Sequence, residues 1–124
     1  MLKIGLKMDS LFKIYWFEVK FQDKDSSKTR PIVTIIFNNE ALSFEVLGVY
    51  SIKDKYKTNP YYKSFMYEVK DWQQANFKEP SFINVARPME IPFTALIGKK
   101  YGGSLTTKDV QGLMNLYNNY WLAK

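Results

Sequence analysis

The chain contains neither cysteine nor histidine, and each absence removes several kinds of chemistry. Without cysteine there is no disulfide framework, thiolate nucleophile, zinc finger or iron–sulfur cluster. Without histidine there is no imidazole base, histidine metal site or histidine haem ligand. Any catalysis must therefore use arginine, lysine, carboxylates, tyrosine, serine, threonine or a bound cofactor.

Long apolar runs are also missing. Near the start of the chain, charges at Lys3, Lys7 and Asp9 interrupt the apolar run of about 7 to 15 residues that a signal peptide needs. No stretch approaches the roughly 18 uncharged apolar residues of a membrane span. We therefore expect a soluble, cytoplasmic protein that does not associate with a membrane.

What is present suits one compact domain, because 124 residues lie within the usual domain size of about 100 to 150 residues. With 46% of its residues apolar and 17% aromatic, the chain can bury a core without disulfide or metal staples. We expect residues 1–11 to form an N-terminal extension and residues 12–124 to form the domain. The formal charge of +6 favours polyanionic partners, although it also simply aids solubility.

Alternating and continuous apolar patterns predict a fold dominated by strands. The predicted strands are Phe12–Phe21, Ile32–Phe37, Phe44–Ile52, Tyr61–Val69 and Ser81–Ile91. Residues 71–77 are a candidate short helix, and Leu96 and Ile97 are a candidate final strand before Gly102. These elements predict a small, strongly bent, mainly antiparallel barrel.

The C-terminal segment predicts an amphipathic helix. Thr106 and Asp109 fit a capping box at its start. The apolar stripe that follows has helical spacing and consists of Val110, Leu113, Met114, Tyr117, Tyr120 and Trp121. We expect this stripe to pack on the sheet, with contact to a second subunit as the alternative for its aromatic end.

Two polar loops, over residues 22–29 and 53–60, carry most of the candidate binding residues. Both follow odd-numbered strands, so in a meander they lie at one end of the sheet and flank one groove. Their cationic and aromatic side chains include Lys28, Lys53, Lys55 and Tyr56. Such side chains suit single-stranded nucleic acid, because cations bind phosphates and aromatic faces stack on bases. Surface loops are also commonly lysine-rich for solubility, and charge alone favours neither interpretation.

Arg30 and Ser51 are further candidate residues for the same groove. Arg30 precedes Pro31 at the junction of the first loop with a strand, where a guanidinium is held firmly enough to bind a phosphate through two hydrogen bonds. Ser51 ends the third predicted strand, which directs its hydroxyl towards the same groove. Asp23 and Asp25 make a poor cation cage within a lysine-rich loop, so we expect no metal and no cofactor.

Several short motifs follow one another in an informative order. A polar loop ending in Thr29-Arg30-Pro31 precedes the strands IVTIIF and FEVLGVYSI. DWQQANFKEPSFINV then gives a short helix and a strand beginning with Pro-Ser, and LIGKKYGGSLTTKDVQGLMNLY leads into the final helix. Over residues 12–122 this order resembles the PemK/MazF family of toxin ribonucleases.

The resemblance implies a small SH3-like barrel of five to seven mostly antiparallel strands, with a C-terminal helix. It also implies a homodimer that cuts single-stranded RNA without a metal ion and is held inactive by a cognate acidic antitoxin. In that family the arginine of the Arg-Pro pair and a threonine or serine ending the third strand carry the chemistry, here Arg30 and Ser51. The RNA-binding candidates are then Lys28, Lys53, Lys55, Tyr56 and Arg87.

The base of such a reaction stays open at this point. Lys28 and Glu18 are candidates, but no pattern in the sequence distinguishes them. Two other functions also stay open: a non-catalytic nucleic-acid-binding barrel, and a protein-interaction module whose basic loops meet an acidic partner. A disordered antitoxin tail that folds on binding would satisfy the last function and the toxin function equally.

Overall fold

The computed structural model describes residues 11–20, 27–51, 57–99 and 101–122. Its strands are β1 (Lys13–Lys20), β2 (Ser27–Asn38), β3 (Ser43–Ser51), β4 (Met66–Glu68), β5 (Ser81–Asn84), β6 (Met89–Pro92) and β7 (Tyr101–Ser104). Its helices are α1 (Pro60–Lys63), a 3-10 helix (Phe93–Leu96) and α2 (Thr107–Leu122). The predicted fold class, mainly β with a C-terminal helix, is confirmed.

The strands form one antiparallel, seven-stranded sheet in the order β4-β5-β3-β2-β1-β7. β6 pairs with the first half of β3, and β5 pairs with the second half of the same edge. Within the described residues the sheet stays open, with β4 and β7 at its ends. In the described ranges the predicted barrel is an open sheet, whose register shifts once in β2 and once in β1.

Each face of the sheet has its own core. The larger core consists of Ile14, Val33, Ile35, Leu47, Val49, Val69, Ala75, Phe77, Ile83, Val85, Leu105 and Leu113. The smaller core consists of Ile32, Phe44, Val46 and Leu96. Burying each large aliphatic side chain contributes roughly 1.5 to 3 kcal/mol before the entropy of folding is counted. The two cores explain why IVTIIF is almost continuously apolar, since both faces of β2 are covered.

Helix α2 packs on the larger core, as its apolar stripe predicts. Tyr117 and Tyr120 lie partly buried against that core. Trp121 is 39% exposed and donates its indole N–H to the carbonyl of Val85 at 2.9 Å. None of the helices in the described ranges has the length and apolar character that crossing a membrane requires.

The buried carboxylate of Asp109 anchors the N-terminus of α2 through hydrogen bonds. Asp109 is 0% exposed and accepts hydrogen bonds from the Tyr67 hydroxyl at 2.6 Å, the Lys70 amide at 2.8 Å and the Asp71 amide at 2.9 Å. Its own amide donates to Thr106 Oγ1 at 3.4 Å, the bond expected of the predicted capping box. These five residues are named the Asp109 cluster below.

Three predicted segments differ from the structure. β2 begins at Ser27, earlier than predicted, because backbone pairing with β1 extends it into the polar loop. Residues 71–77 form turns instead of a helix. The predicted strand over 61–69 is split into α1 and β4, since Asn59 caps the helical turn through a 2.9 Å bond to the Tyr61 amide.

The region after β5 also differs in detail. Pro88 lies between β5 and β6, which pair with different halves of β3, so the strand predicted over Ser81–Ile91 is two strands. Leu96 belongs to the 3-10 helix, and the final strand is β7, which contains Gly102 and Gly103. Gly103 has a φ of +140°, and a Cβ there would lie 2.5 Å from the Ala75 carbonyl oxygen. Only glycine fits that position.

Candidate active site

A cleft of about 240 Å³ lies where β3 ends and β5 begins. Antiparallel pairing aligns Ser51 with Ser81, which brings the residues leading into β5 against the end of β3. The lining residues are Trp16, Arg30, Pro31, Val49, Tyr50, Ser51, Phe77, Lys78, Glu79 and Ser81. The structure therefore brings Arg30 and Ser51, the two predicted catalytic residues, into one cleft.

Arg30 is held by strand pairing and by an aromatic ring. β2 and β3 align Ile32 with Gly48, and the same register two residues along brings Arg30 beside Tyr50. The guanidinium carbon lies 5.3 Å from the centroid of the Tyr50 ring, within cation–π range. The Nε atom of Arg30 is buried. The guanidinium is thus oriented at the cleft by the sheet and does not depend on a loop for its position.

Gly48 makes room for the Tyr50 ring. A Cβ at Gly48 would lie 3.4 Å from both the Cε2 atom and the hydroxyl oxygen of Tyr50. The ring therefore lies against the bare backbone of Gly48, two residues earlier on the same face of β3. This close approach accounts for a glycine inside a strand, where it is otherwise unfavourable.

Ser51 and Glu79 form a hydroxyl–carboxylate pair at the mouth of the cleft. Ser51 Oγ donates a hydrogen bond to Glu79 Oε2 at 3.2 Å, and both residues are exposed. Ser81, which is buried, donates its hydroxyl to the backbone carbonyl of Glu79 at 2.8 Å. The backbone of Glu79 is therefore anchored to β5 while its carboxylate reaches the end of β3.

The cleft combines charge with aromatic surface. Its charged side chains are Arg30, Lys78 and Glu79, which give a net positive balance. Trp16 lies partly buried beside them and exposes part of its ring. A guanidinium binds phosphate oxygens, and an indole face stacks on a base, so the lining suits a single-stranded phosphodiester.

The other predicted site residues are Lys28, Arg87, Lys53, Lys55 and Tyr56. Lys28 lies in β2, where its backbone is aligned with Val19 of β1. Arg87 is exposed and follows the far end of β5. Lys53, Lys55 and Tyr56 lie outside the described residues, as do Asp23 and Asp25. In the described ranges no three acidic side chains are grouped closely enough to hold a metal ion.

Sequence reasoning missed the part of the cleft formed by Lys78, Glu79 and Ser81. These residues belong to the stretch KEPS, whose Pro-Ser pair signals only the start of a strand. Their proximity to Ser51 depends on the pairing of β3 with β5, which are separated by α1 and β4 along the chain. Local patterns do not encode that pairing.

Comparison with known proteins identifies the fold. No protein-family model matches the chain, and no curated protein matches it in sequence. A chain in the Form-III crystal structure of MazE-MazF from Deinococcus radiodurans superposes with a TM-score of 0.62 at 9% identity, covering 90% of this chain and 94% of that one. A chain in the Form-II crystal structure gives a TM-score of 0.65 at 8% identity, covering 93% and 96%. The chain therefore has a MazF-like fold.

Proposed function

We propose that this protein is a toxin-type endoribonuclease that cuts single-stranded RNA without a metal ion. The observation that carries the proposal is the meeting of Arg30 and Ser51 in one cleft, although they lie on different strands. The cleft lies on a MazF/PemK-like fold, and the net charge of +6 favours a polyanionic substrate. Fold, charge and site geometry thus support the same function.

The reaction follows from the groups available. The RNA 2′-oxygen attacks the adjacent phosphorus, an O2′–P bond forms and the P–O5′ bond breaks. The products are a 2′,3′-cyclic phosphate and a free 5′-hydroxyl. Negative charge builds on the phosphoryl oxygens as the O2′–P bond forms, and the guanidinium of Arg30 stabilises it. Ser51 contacts the attacking 2′-hydroxyl and orients it.

The proposed partners are a cognate acidic antitoxin and a second copy of the chain. The similar crystal structures are of MazE-MazF, which supports an antitoxin as the partner of this fold. An acidic segment complements the basic chain and competes with RNA for the same cationic surface. Lys28, Lys53, Lys55, Tyr56 and Arg87 stay proposed contacts for RNA.

The test is a cleavage assay with a long unstructured RNA in excess chelator, followed by mapping of the new 5′ ends. We expect cuts at a recurring short sequence, with cyclic phosphate and 5′-hydroxyl ends. In Arg30→Ala the rate should fall by roughly 10²- to 10³-fold, as when one oxyanion donor is lost. Lys63→Ala, which removes an exposed cation on α1, is the matched control and should keep the wild-type rate.

Two results would contradict the proposal. Intact RNA with a salt-dependent mobility shift would identify a non-catalytic nucleic-acid-binding protein. Intact and unshifted RNA, together with tight binding of an acidic peptide, would identify a protein-interaction module.

A single 2′-deoxy substitution at a mapped cut site should also stop cleavage there, because it removes the attacking oxygen.

A further inference from the structure

The proposed reaction lacks a proton acceptor when only Arg30 and Ser51 are considered. A guanidinium and an aliphatic hydroxyl are both poor bases near neutral pH. The chain has no histidine and no cysteine, and a carboxylate is the remaining side chain that is ordinarily deprotonated at neutral pH. Among the described residues that line the cleft, Glu79 carries the only carboxylate.

The placement of Glu79 is specific. Its carboxylate receives the Ser51 hydroxyl hydrogen at 3.2 Å, and its backbone carbonyl receives the Ser81 hydroxyl hydrogen at 2.8 Å. Just before it in the chain, the buried Phe77 donates its amide to the Trp72 carbonyl at 2.9 Å. The segment that carries Glu79 is therefore fastened on both sides, which fixes the direction from which its carboxylate approaches Ser51.

We propose that Glu79 accepts, through Ser51, the proton that the RNA 2′-hydroxyl loses during cleavage. This inference rests on the proposed ribonuclease function. Glu79 is a positioning residue in this scheme, because it acts through the serine and does not need to touch the RNA. Ser51 Oγ donates its own hydrogen to Glu79, which leaves the lone pairs of Oγ open to the 2′-hydroxyl.

The proton balance of the step is complete. As O2′ bonds to phosphorus, its proton moves to Ser51 Oγ and the original serine proton moves to Glu79 Oε2. The P–O5′ bond breaks, and O5′ takes up a proton from water. Glu79 then releases its proton to water, so the protein ends the cycle unchanged.

Three other side chains are candidates for the proton acceptor. Glu18 and Lys28 lie in the β1–β2 ladder, where their backbones are aligned with Thr29 and Val19 respectively. Lys78 lines the cleft, but a lysine ammonium has three donors and no lone pair that could accept a proton. The position next to Ser51 therefore favours Glu79.

The pH dependence of cleavage distinguishes this role from a structural one. Among the described residues that line the cleft, the other charged or titratable groups are Arg30 from β2, Tyr50 from β3 and the neighbouring Lys78. At acid pH arginine and lysine side chains stay charged and tyrosine stays neutral. A fall in the single-turnover rate towards acid pH would therefore report protonation of the carboxylate.

The experiment compares the wild-type chain with Glu79→Gln on an RNA with a mapped cut site, in excess chelator, from acid to neutral pH. The glutamine amide oxygen still accepts the Ser51 hydrogen bond, so the segment stays fastened. We expect the neutral-pH rate to fall roughly 10²-fold, the acid limb to disappear and the thermal midpoint to stay unchanged. Glu79→Asp should restore part of the rate together with the acid limb.

Two further variants sharpen the result. Ser51→Ala combined with Glu79→Gln should be no slower than Ser51→Ala alone, because groups that act as one unit are not additive. Glu40→Gln, which removes an exposed carboxylate in the β2–β3 turn, is the matched control and should behave as wild type.

Each contrary outcome has its own meaning. A wild-type rate and an intact acid limb in Glu79→Gln, while Arg30→Ala loses cleavage, would overturn the role of Glu79 and leave the ribonuclease function standing. In a second contrary outcome, Glu79→Gln cleaves more slowly, unfolds at a lower temperature and keeps the shape of the wild-type pH profile. That result would show that Glu79 has a structural role, and it would overturn the role of Glu79 as proton acceptor. Intact RNA with the wild-type chain would overturn both proposals.

Discussion

The Asp109 cluster and the cleft each contain a hydroxyl that donates a hydrogen bond to a carboxylate, but the two carboxylates differ in their surroundings. Asp109 is fully buried and receives the Tyr67 hydroxyl together with two backbone amides. Glu79 is exposed, and its carboxylate receives the Ser51 hydroxyl. One carboxylate is enclosed by the fold, and the other faces solvent at the mouth of a cleft.

The difference shows what burial does to the same chemical pair. A buried carboxylate is stable only when its oxygens are fully hydrogen-bonded, so it stabilises the surrounding backbone and has no capacity left for a substrate. An exposed carboxylate contributes little to stability because water solvates it equally well in the unfolded chain. It is free to exchange a proton. The variants below test this contrast, in order of decreasing expected effect on stability.

Removing the buried carboxylate should have the largest effect. Asp109→Ala leaves the amides of Lys70 and Asp71 and the Tyr67 hydroxyl without their acceptor, and each of these partly buried donors costs about 1 to 3 kcal/mol when it is left unpaired. We expect the free energy of unfolding, measured by urea denaturation, to fall by about 4 kcal/mol. Asp109→Asn keeps one acceptor oxygen and should lie in between. A loss below about 1 kcal/mol for the alanine variant would contradict the contrast.

A substitution that crowds the hydrogen-bonded pair of Tyr67 and Asp109 should have the next largest effect on stability. A Cβ at Gly112 in α2 would lie 2.6 Å from the Tyr67 hydroxyl oxygen, so Gly112→Ala must displace the tyrosine from Asp109. We expect a loss of about 2 kcal/mol, typical of overpacking, in urea denaturation. In an exposed helix the same change stabilises by about 1 kcal/mol. A gain in stability would therefore show that the Tyr67 side chain moves aside with no loss of free energy of unfolding.

Deleting the partly buried Tyr67 hydroxyl should cost less and change the response to alkaline pH. Burial first, and then the hydrogen bond to Asp109, raise the pKa of Tyr67 above its ordinary value. Above pH about 10 the unfolded chain releases this proton and the folded chain retains it, so stability falls as pH rises. Tyr67→Phe should lose about 1 to 2 kcal/mol at neutral pH and show a shallower alkaline decline.

The alkaline decline should not vanish entirely in that variant. Burial, followed by a hydrogen bond to Glu45, also raises the pKa of Tyr117. Thermal unfolding across alkaline pH should therefore show a second contribution that Tyr117→Phe removes. Tyr61→Phe, at a ring that is 68% exposed, is the control and should change stability by less than about 0.5 kcal/mol. An unaltered slope in Tyr67→Phe would contradict the assignment.

Removing the exposed hydroxyl should have the smallest effect on stability. Ser51→Ala deletes an exposed hydrogen bond to Glu79, and we expect the unfolding free energy to change by less than about 0.5 kcal/mol. RNA cleavage by the same variant should fall strongly. A stability loss as large as that of Tyr67→Phe would show that the Ser51–Glu79 pair supports the fold and would remove the contrast.

Several elements were predictable because their patterns are local. Strands β1 and β3 follow aromatic and β-branched alternation, and their observed bounds lie within a residue or two of the predicted ones. Helix α2 begins just after Thr106, where the capping box predicts its start. The segment 71–77 was mispredicted because its helical composition is overridden by turns that seat Ala75 and Phe77 in the core.

The candidate site was predictable only in part. Arg30 and Ser51 stand at recognisable strand ends, and the resemblance assigned them the chemistry. Glu79 was not singled out, because a glutamate beside a lysine in a polar stretch is typical of any solvated loop. Its significance arises from a hydrogen bond to Ser51 that depends on strand pairing.

The amino-acid sequence by itself determined the chemistry that is absent, the predominance of strands, the capped C-terminal helix and the order of motifs that resembles the toxin family. These properties depend on residue type and on short-range periodicity. The tertiary structure alone decided that β5 and β6 share one edge of β3. It also decided that Ser51 donates a hydrogen bond to Glu79, and that Asp109 is buried and accepts a hydrogen bond from Tyr67. Strand register and burial are set by contacts between distant parts of the chain, which local patterns do not encode.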